Sequence, residues 1–484
     1  MDTVLTKRNT VIIVALLALW KIFFSATLQL HPDEAYYWLW SRHLDLGYFD
    51  HAPLIAYLIR LTTLFSQQEL WVRFGAIIEA LLVSVLAWVL SLQLFKDERI
   101  SSASVITLNV IPLTLAGSVV ITPDIPVFLF ISLSIFLYWQ IVATGKAHYW
   151  YLLGIAFGLA LLSKYTAVLL APSLVLFMIV TGERRWFKTV HPYAAFLLGC
   201  AFFLPVVYWN SEHQWVSFLF QMRHGLGGSR YSLGKVMVYL GGQMIVASPL
   251  LWLLGAYASA LYLFRRNKEK LFLVLTSLPT ILFFAFSAFK KGGAAANWPC
   301  FAYFTFTILV SHYCFSGSTA KKRLWAVAVL LSAALSATAA LHARFGVLPL
   351  EKISKDAAVA DATQAFYGWR ELVEDLEKDP AAAVVITPSH QLAAEVAYYS
   401  KERIFAYVDH TRFTAPQFSF WAVPGSLKGK NGACLCLAGE ECPPCAEYFT
   451  SVGAADEVPF LWRGFAIRTY SIVRGSGYGL AADR

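Results

Sequence analysis

Charged residues are scarce in this 484-residue chain, since 14% of the residues are Asp, Glu, Lys or Arg and 58% are hydrophobic. This composition excludes a single water-soluble globule, because too few polar side chains are present to cover its surface. The net charge of +9 does not indicate a nucleic-acid partner, because the Lys and Arg residues occur in short runs between apolar segments. We therefore expect a polytopic membrane protein that contacts membrane lipids and no nucleic acid.

Apolar segments that approach the roughly 20 residues needed to cross a bilayer recur about eleven times. They are Val11–Leu30, Trp71–Phe95, Ser101–Val120, Pro126–Ala143, Tyr149–Leu162, Thr166–Val180, Val190–Trp209, Val236–Phe264, Leu271–Phe289, Trp298–Phe315 and Leu324–Leu341. The fifth and sixth are separated at Lys164, the only charge in a run too long for one upright helix. Because Val11–Leu30 shows no small-residue cleavage site, we expect it to be a retained span rather than a signal peptide.

Basic residues divide the connections between these spans into two alternating sets. Cytoplasmic loops carry an excess of Lys and Arg. One set contains Lys7–Arg8, Lys96 with Arg99, Lys146, Arg184–Lys188, Arg265–Lys270 and Lys321–Arg323. We therefore predict a cytoplasmic N-terminus. The loop 31–70, Asp124, Lys164, the loop 210–235 and the segment 290–297 then lie on the outer face, and an odd number of spans places the tail there as well.

The tail is richer in charge, so we predict a transmembrane domain of residues 1–343 and a small soluble α/β domain of residues 344–484. Helix-like stretches and strand-like runs alternate along it. The helices are predicted at Ala357–Lys378 and Gln391–Tyr399, and the strands at Ala382–Ile386, Ile404–Val408 and Phe465–Val473.

Four of the seven cysteines cluster in this tail, at Cys434, Cys436, Cys442 and Cys445. In an oxidising outer compartment one or two disulfides are favoured. The C-x-C and C-x-x-C spacings also suit zinc, which stays the alternative. The other three cysteines lie in spans, where we interpret them as packing residues: Cys200, Cys300 and Cys314.

Two adjacent acids, Asp33 and Glu34, directly follow the first span. A charged side chain near hydrocarbon costs at least ~2.5–3.5 kcal/mol, so acids at such a boundary usually face a cavity, a partner or a substrate. Asp50 and His51 add a further acid and an imidazole in the same outer loop. We predict that this loop forms amphipathic helices whose aromatic residues anchor at the membrane interface, whereas Asp33 is functional. The aromatic residues are Tyr36, Tyr37, Trp38 and Trp40.

Asp124 and Lys164 are charges at or within apolar runs. Asp124 follows Thr122-Pro123 at the start of the fourth span, so helix capping and a functional role both stay open. The Lys164 ammonium requires an anion or an aqueous pocket, unless its side chain snorkels to the outer headgroups.

Further cations lie on the predicted outer face. Lys290 and Lys291, followed by two glycines, predict a flexible basic loop that faces away from the side where positive charge is usual. Such a loop indicates an anionic ligand or headgroup. Arg223, next to His224, offers another cationic group, which a solvated loop explains equally well.

Carboxylates and cations drawn from several outer loops suit a reaction in which a phosphate leaves a sugar and an acceptor hydroxyl attacks. The cations would stabilise charge on the phosphate, and one carboxylate would act as general base. Because phosphate is a good leaving group, the second carboxylate of a glycosidase is not required. A divalent metal stays open, since aspartates near a phosphate can hold one. A transporter would instead place polar groups near the midplane, often in inverted repeats.

The order of these motifs resembles the C-type membrane glycosyltransferases over roughly residues 10 to 320. Within that group the chain is most similar to the bacterial branch related to protein O-mannosyltransferases, which includes aminoarabinose and galacturonic acid transferases of lipid A and lipopolysaccharide core. The motifs that carry the resemblance are Asp33-Glu34, Asp50–Pro53, Thr122–Asp124, Gly158–Tyr165, Trp209-Asn210, Trp215, Phe218–Gln221 and Asn297–Pro299.

This resemblance implies inverting transfer of a sugar from a polyprenyl-phosphate donor to a lipid A, lipopolysaccharide core or other envelope acceptor. The reaction would occur at the periplasmic face of the bacterial inner membrane, with a periplasmic C-terminal domain. A protein O-mannosyltransferase-like enzyme is the nearest alternative, and a lipid or sugar transporter or flippase is the non-enzymatic one.

The resemblance also assigns roles to residues. It implies that Asp33 is the catalytic acid–base residue with Glu34 beside it, that Asp124 is the second acid, and that Lys164 contacts the donor phosphate. His51 occupies the position of a Lys in aminoarabinose transferases, and an imidazole carries a less reliable charge than an ammonium. The remaining candidates for donor or substrate binding are Asp50, Lys290, Lys291 and Arg223.

Overall fold

A computed structural model describes residues 5–227, 231–265, 267–291, 294–350, 354, 361–408, 416–462 and 465–479. Its α-helices are α1 (Lys7–Thr27), α2 (Pro32–Arg42), α3 (Leu54–Thr62), α4 (Glu69–Phe95), α5 (Glu98–Val110), α6 (Pro112–Gly117), α7 (Asp124–Thr144), α8 (His148–Ser163), α9 (Leu170–Thr181), α10 (His191–Glu212), α11 (Val216–Leu226), α12 (Leu233–Ala247), α13 (Pro249–Leu263), α14 (Lys268–Leu275), α15 (Leu278–Lys291), α16 (Tyr303–Phe315), α17 (Thr319–Phe345), α18 (Trp369–Leu376), α19 (His390–Tyr399) and α20 (Cys445–Tyr448). Its strands are β1 (Ala382–Thr387), β2 (Phe405–Val408), β3 (Asn431–Leu437), β4 (Phe449–Trp462) and β5 (Phe465–Tyr478).

Six of the described helical segments are long and apolar enough to cross a membrane: α1, α4, α7, α10, Lys268–Lys290 and α17. The bent pair of α12 and α13 makes a seventh if it is one broken span. Shorter apolar helices cover His148–Ser163, Tyr165–Thr181 and Cys300–Phe315. The chain is therefore a multi-pass membrane protein, and the number of eleven spans stays a prediction.

Two predicted spans are wrong as single helices. Ser101–Val120 divides into α5 and α6 at Ile111, because Pro112 donates no backbone hydrogen bond and restricts the residue before it. Val236–Phe264 divides into α12 and α13, which meet at 109° around Ser248. The division predicted at Lys164 is confirmed, since α8 ends just before it and a 3-10 helix follows it.

The chain forms two compact units. The first, which we call the membrane unit, contains Met1–Ala26, Asp45–Leu58 and Arg73–Ala340. The second, which we call the sheet unit, contains Thr27–Leu44, Ile59–Val72 and Leu341–Arg484. The predicted domain boundary between residues 343 and 344 stays a prediction.

In the membrane unit, close helix packing places the end of α8. A Cβ atom added at Gly154 would lie 2.5 Å from the backbone oxygen of Ala195 in α10, and one added at Gly158 would lie 2.6 Å from Cβ of Phe202. Small residues four positions apart allow helices to approach this closely. The short connection from α7 to α8 makes them antiparallel neighbours, so Lys164 returns to the first turn of α7.

The sheet unit is built on a mixed sheet with strand order β2-β1-β3-β5-β4. β1 pairs in parallel with β2 and β3, whereas β5 pairs antiparallel with β3 and β4. α19 connects β1 to β2, as a parallel pair requires a crossover. The predicted small C-terminal α/β domain is confirmed.

The predicted elements of this tail are correct in part. β1 and β2 lie where strands were predicted, the third predicted strand falls within β5, and β3 and β4 were not predicted. Ala357–Lys378 is wrong as one helix. Its described part holds a 3-10 helix, Ala362–Phe366, and then α18, separated at Gly368 with φ of +86°. Residues 357–360 lie outside the described residues.

The clustered cysteines form two disulfides rather than a zinc site. Cys434 pairs with Cys445 and Cys436 pairs with Cys442, with Cα–Cα distances of 5.6 and 5.4 Å. They tie β3 to α20 and to the turn between them. The predicted disulfides are confirmed.

The aromatic residues of α2 are buried in the sheet unit. Tyr36 and Trp38 are only 4% and 3% exposed. The Tyr36 ring centroid lies 4.6 Å from that of His390 in α19, and the Trp38 centroid lies 4.9 Å from that of Tyr398. Their interpretation as an interfacial belt is therefore wrong, because they fill the contact between α2 and α19.

Candidate functional site

An ion pair is buried in the membrane unit. Lys164 Nζ lies 2.5 Å from Asp124 Oδ1, and the two side chains are 9% and 11% exposed. Asp124 is the first residue of α7, and Lys164 directly follows α8. Snorkelling is wrong for Lys164, because its ammonium ends on a buried carboxylate.

The Asp124 carboxylate does not cap its helix. The capping position is Pro123, and no side-chain capping bond forms there. Instead, Asn297 Nδ2 donates to Asp124 Oδ2 at 2.6 Å, and Cys300 Sγ lies 3.5 Å from Oδ1. An ammonium, an amide and a thiol therefore hold one carboxylate. Cys300 is more than the packing residue that we predicted, and a single Cys in an apolar run gives no signal of such a contact.

His51 is close enough to this ion pair to interact with it electrostatically. Burial, together with Lys164 and His224, lowers the pKa of His51 to about 3, against an opposing effect of Asp124. The imidazole is therefore neutral at physiological pH. It can exchange hydrogen bonds with a ligand but adds no charge, which refines the expectation drawn from its sequence position.

Helix α11 lies against the loop that carries Asp50 and His51. Gln221 Nε2 donates to the backbone oxygen of Asp50. His224, in the last turn of α11, interacts electrostatically with His51. Arg223 is exposed on the same helix, and no described contact joins it to the ion pair.

The predicted basic loop at Lys290 and Lys291 is wrong, because both residues continue α15 to its end. Lys290 is half-buried, and no described contact brings it to the ion pair. The Lys291 side chain and the two glycines, Gly292 and Gly293, lie outside what the structure describes.

Asp33 and Glu34 lie in the sheet unit, in the first turn of α2. Glu34 is fully buried, and its Oε2 accepts a hydrogen bond from the His31 backbone N–H at 2.9 Å, which completes a capping box. The Asp33 side chain is 41% exposed, and its Oδ1 accepts a hydrogen bond from Gln391 Nε2 at 2.7 Å. Glu34 thus holds the start of α2, whereas Asp33 stays accessible.

The groups around the ion pair can bind an anion. An ammonium has three N–H donors, and the described contacts of Lys164 use one of them, on Asp124. Asn297 and the neutral His51 add uncharged hydrogen-bonding groups. Among the described residues, no cluster of three or more His, Cys, Asp and Glu side chains could hold a metal ion.

The described residues form a multi-pass membrane protein that carries a small C-terminal sheet domain. Residues 50–209 match the family described as dolichyl-phosphate-mannose-protein mannosyltransferase. The structure aligns with that of ArnT from Cupriavidus metallidurans bound to undecaprenyl phosphate, with a TM-score of 0.70 and 14% identity over 97% of this chain and 98% of that one.

Two curated relatives carry the likeness in sequence. The chain is 26% identical over 319 residues to the lipid A galacturonosyltransferase RgtD of Rhizobium johnstonii, which covers 63% of this chain and 65% of the relative. It is 25% identical over 303 residues to an undecaprenyl phosphate-alpha-4-amino-4-deoxy-L-arabinose arabinosyl transferase of Pseudomonas aeruginosa, over 57% of this chain and 55% of that protein. The match spans less than two thirds of either relative. The resemblance stated from the sequence is confirmed.

Proposed function

We propose that this protein transfers a sugar from a polyprenyl-phosphate donor to lipid A, lipopolysaccharide core or another envelope acceptor. The observation that carries this proposal is the buried pair of Lys164 and Asp124. Ionisable residues inside an apolar bundle are costly and usually mark a substrate path. The names of the two curated relatives, and the undecaprenyl phosphate bound to ArnT, supply the substrate class.

In this proposal Lys164 binds the donor phosphate. One N–H of its ammonium stays on Asp124 while the others turn to the phosphate oxygens, and Asn297 and His51 contribute hydrogen bonds. The negative charge that develops on the leaving phosphate is thereby stabilised inside a site shielded from water. Asp124 keeps the ammonium in place before the donor arrives.

Asp33 is proposed as the general base. It accepts the proton of the acceptor hydroxyl while the oxygen forms a new bond to the anomeric carbon, and the bond from that carbon to the phosphate breaks with its electron pair. This single displacement inverts the anomeric configuration. The exposed carboxylate of Asp33 suits this role better than Glu34, whose carboxylate is engaged in the capping box.

We propose that the reaction takes place at the periplasmic face of the inner membrane, with the N-terminus in the cytoplasm. The alternation of basic connections supports this orientation. The two disulfides of the sheet unit support an oxidising compartment for the C-terminal domain.

A polypeptide acceptor is the second candidate, because the family matched by residues 50–209 is described by a protein mannosyltransferase activity. Purified protein would be incubated with radiolabelled polyprenyl-phosphate sugars and either lipid A or a secreted peptide. We expect label in the lipid. Label in the peptide alone would favour the second candidate, and no transfer from any donor would contradict both and favour transport.

A further inference from the structure

The sheet unit contains a polar cleft of about 770 Å³. Its walls come from the end of α2, residues 66–69, α18 and the residues that follow α19. All of its lining residues belong to the sheet unit, so the residues of the buried ion pair do not form it. Its volume falls within the ~300–1,000 Å³ that is usual for ligand sites.

Paired guanidinium and carboxylate groups line this polar cleft. The pairs, with their N–O distances, are Arg42–Glu402 at 2.9 Å, Arg370–Glu69 at 2.6 Å and Arg403–Glu377 at 2.7 Å. A guanidinium has five N–H donors and a carboxylate has about four acceptor positions. Each pair therefore offers donors and acceptors side by side. Neighbouring hydroxyl groups of a sugar, each both a donor and an acceptor, complement this arrangement.

Two further charged residues of the polar cleft form no ion pair among the described residues: Glu374 and Lys401. Both are exposed, so both are accessible to a ligand. With them, the cleft has four cationic and four anionic side chains and no net charge. This balance argues against a polyanion and favours an uncharged, hydroxyl-rich ligand.

The backbone in the wall of the polar cleft is strained. Lys401 and Glu402 follow α19 with φ of 54° and 59°, where a glycine is usual after a helix. The turn directs Glu402 to Arg42 and places Lys401 in the lining. Strained backbone persists where the surrounding structure enforces it, and it is concentrated at ligand sites.

We propose that the polar cleft binds an uncharged glycan. Glycan binding itself does not depend on the proposed transferase function. Only the identification of the glycan as part of the acceptor rests on that function, because the proposed acceptor is rich in sugar. The half-buried Tyr399 ring, 5.7 Å from the Arg370 guanidinium carbon, adds an aromatic face to the lining against which the C–H groups of a sugar can pack.

The test is a binding measurement on full-length protein in lipid nanodiscs. The probe is a phosphorylated hexose oligosaccharide without other acidic groups, with and without phosphatase treatment, and the affinity is measured by calorimetry and saturation-transfer NMR. The variant is Glu374→Gln with Lys401→Gln, which breaks none of the ion pairs in the lining. The control is Lys378→Gln, which removes an exposed cation just beyond α18 that is not part of the lining.

We expect wild-type protein and the control to bind the phosphatase-treated probe equally, and the double variant to bind it at least roughly tenfold more weakly. Equal binding by the double variant would overturn the proposal, as would binding of the phosphorylated probe alone.

The transferase function is tested separately. Glycan binding without label transfer from any donor would contradict the proposed reaction and leave the glycan site supported. Transfer with an unchanged acceptor KM in the double variant would remove the polar cleft from acceptor recognition.

Discussion

Replacing the two partners of the buried ion pair, singly and together, separates a structural role from a functional one. In Lys164→Met the Asp124 carboxylate keeps only the amide of Asn297 and the thiol of Cys300. Removing one partner of a buried pair costs about 3–5 kcal/mol, because the other charge stays uncompensated. Neutral hydrogen bonds, at about 0.5–1.5 kcal/mol each, do not replace the ammonium. Because a chain of 484 residues shifts its Tm by only about 1 °C per kcal/mol, we expect Tm to fall by roughly 3–5 °C in detergent.

The double variant Asp124→Asn with Lys164→Met should recover most of this loss. Replacing a buried ion pair by uncharged groups of similar volume is often neutral or stabilising. Transfer of labelled sugar should nevertheless stay roughly 100–1,000-fold below wild type, the usual effect of removing one donor to a developing negative charge. Stability and activity are then uncoupled in one protein.

Lys21→Met serves as the matched control. Lys21 is also a buried ammonium of the membrane unit, 3% exposed, and its Nζ donates to Asn109 Oδ1 at 3.0 Å. This variant should transfer sugar at the wild-type rate. Wild-type transfer by the double variant would refute the role of the pair in donor binding, and an unchanged Tm in Lys164→Met would refute its burial as an ion pair.

Three other perturbations test the remaining residues. Asp33→Asn should reduce transfer roughly 100–10,000-fold at an unchanged Tm, since the exposed side chain can still accept from Gln391; retained transfer would exclude Asp33 as the base. The pKa of His51, lowered to about 3, means that only the unfolded chain binds its proton between about pH 6.5 and 3. The free energy of unfolding should therefore be ~2 kcal/mol lower at pH 5 than at pH 7.5, because acid protonates His51 only in the unfolded chain. Parallel curves of Tm against pH for wild type and His51→Gln would contradict this. Replacing Cys434 and Cys445 together by Ser should cost about 3 kcal/mol, seen as faster proteolysis of the sheet unit, and an unchanged rate would contradict the pairing.

The sequence predicts the membrane class and the C-terminal domain, and it singles out Asp124 and Lys164, because composition and charges within apolar runs are local signals. The contact between the two residues is not local. It depends on α7 and α8 being antiparallel, with helix lengths that bring the residue after α8 back to the start of α7. No motif encodes those lengths, which follow from packing such as that of Gly154 and Gly158 on α10.

The errors have a related cause. An aromatic run such as that of α2 fits a membrane interface and a protein core equally well, and only its partner α19 decides between them. Likewise, Cys300 contacts Asp124 only because the segment before α16 packs against the start of α7. Burial and contact between distant segments are set by tertiary structure, which a single sequence shows only indirectly.

Replacing a buried ion pair by hydrophobic residues of similar volume is often neutral or stabilising, so stability alone is a weak explanation for a pair between α7 and α8. Its presence in an apolar unit therefore requires another explanation. A buried amine that binds a phosphate would be an unpaired charge while the site is empty, and an unpaired buried charge is destabilising. The Asp124 carboxylate, 2.5 Å from Lys164 Nζ, pairs with the ammonium and removes this destabilisation. His51, neutral at physiological pH, does not compete for the carboxylate. In the proposed reaction the pair is thus electrically balanced before the donor arrives, and the donor phosphate would share the ammonium without breaking the contact that positions it.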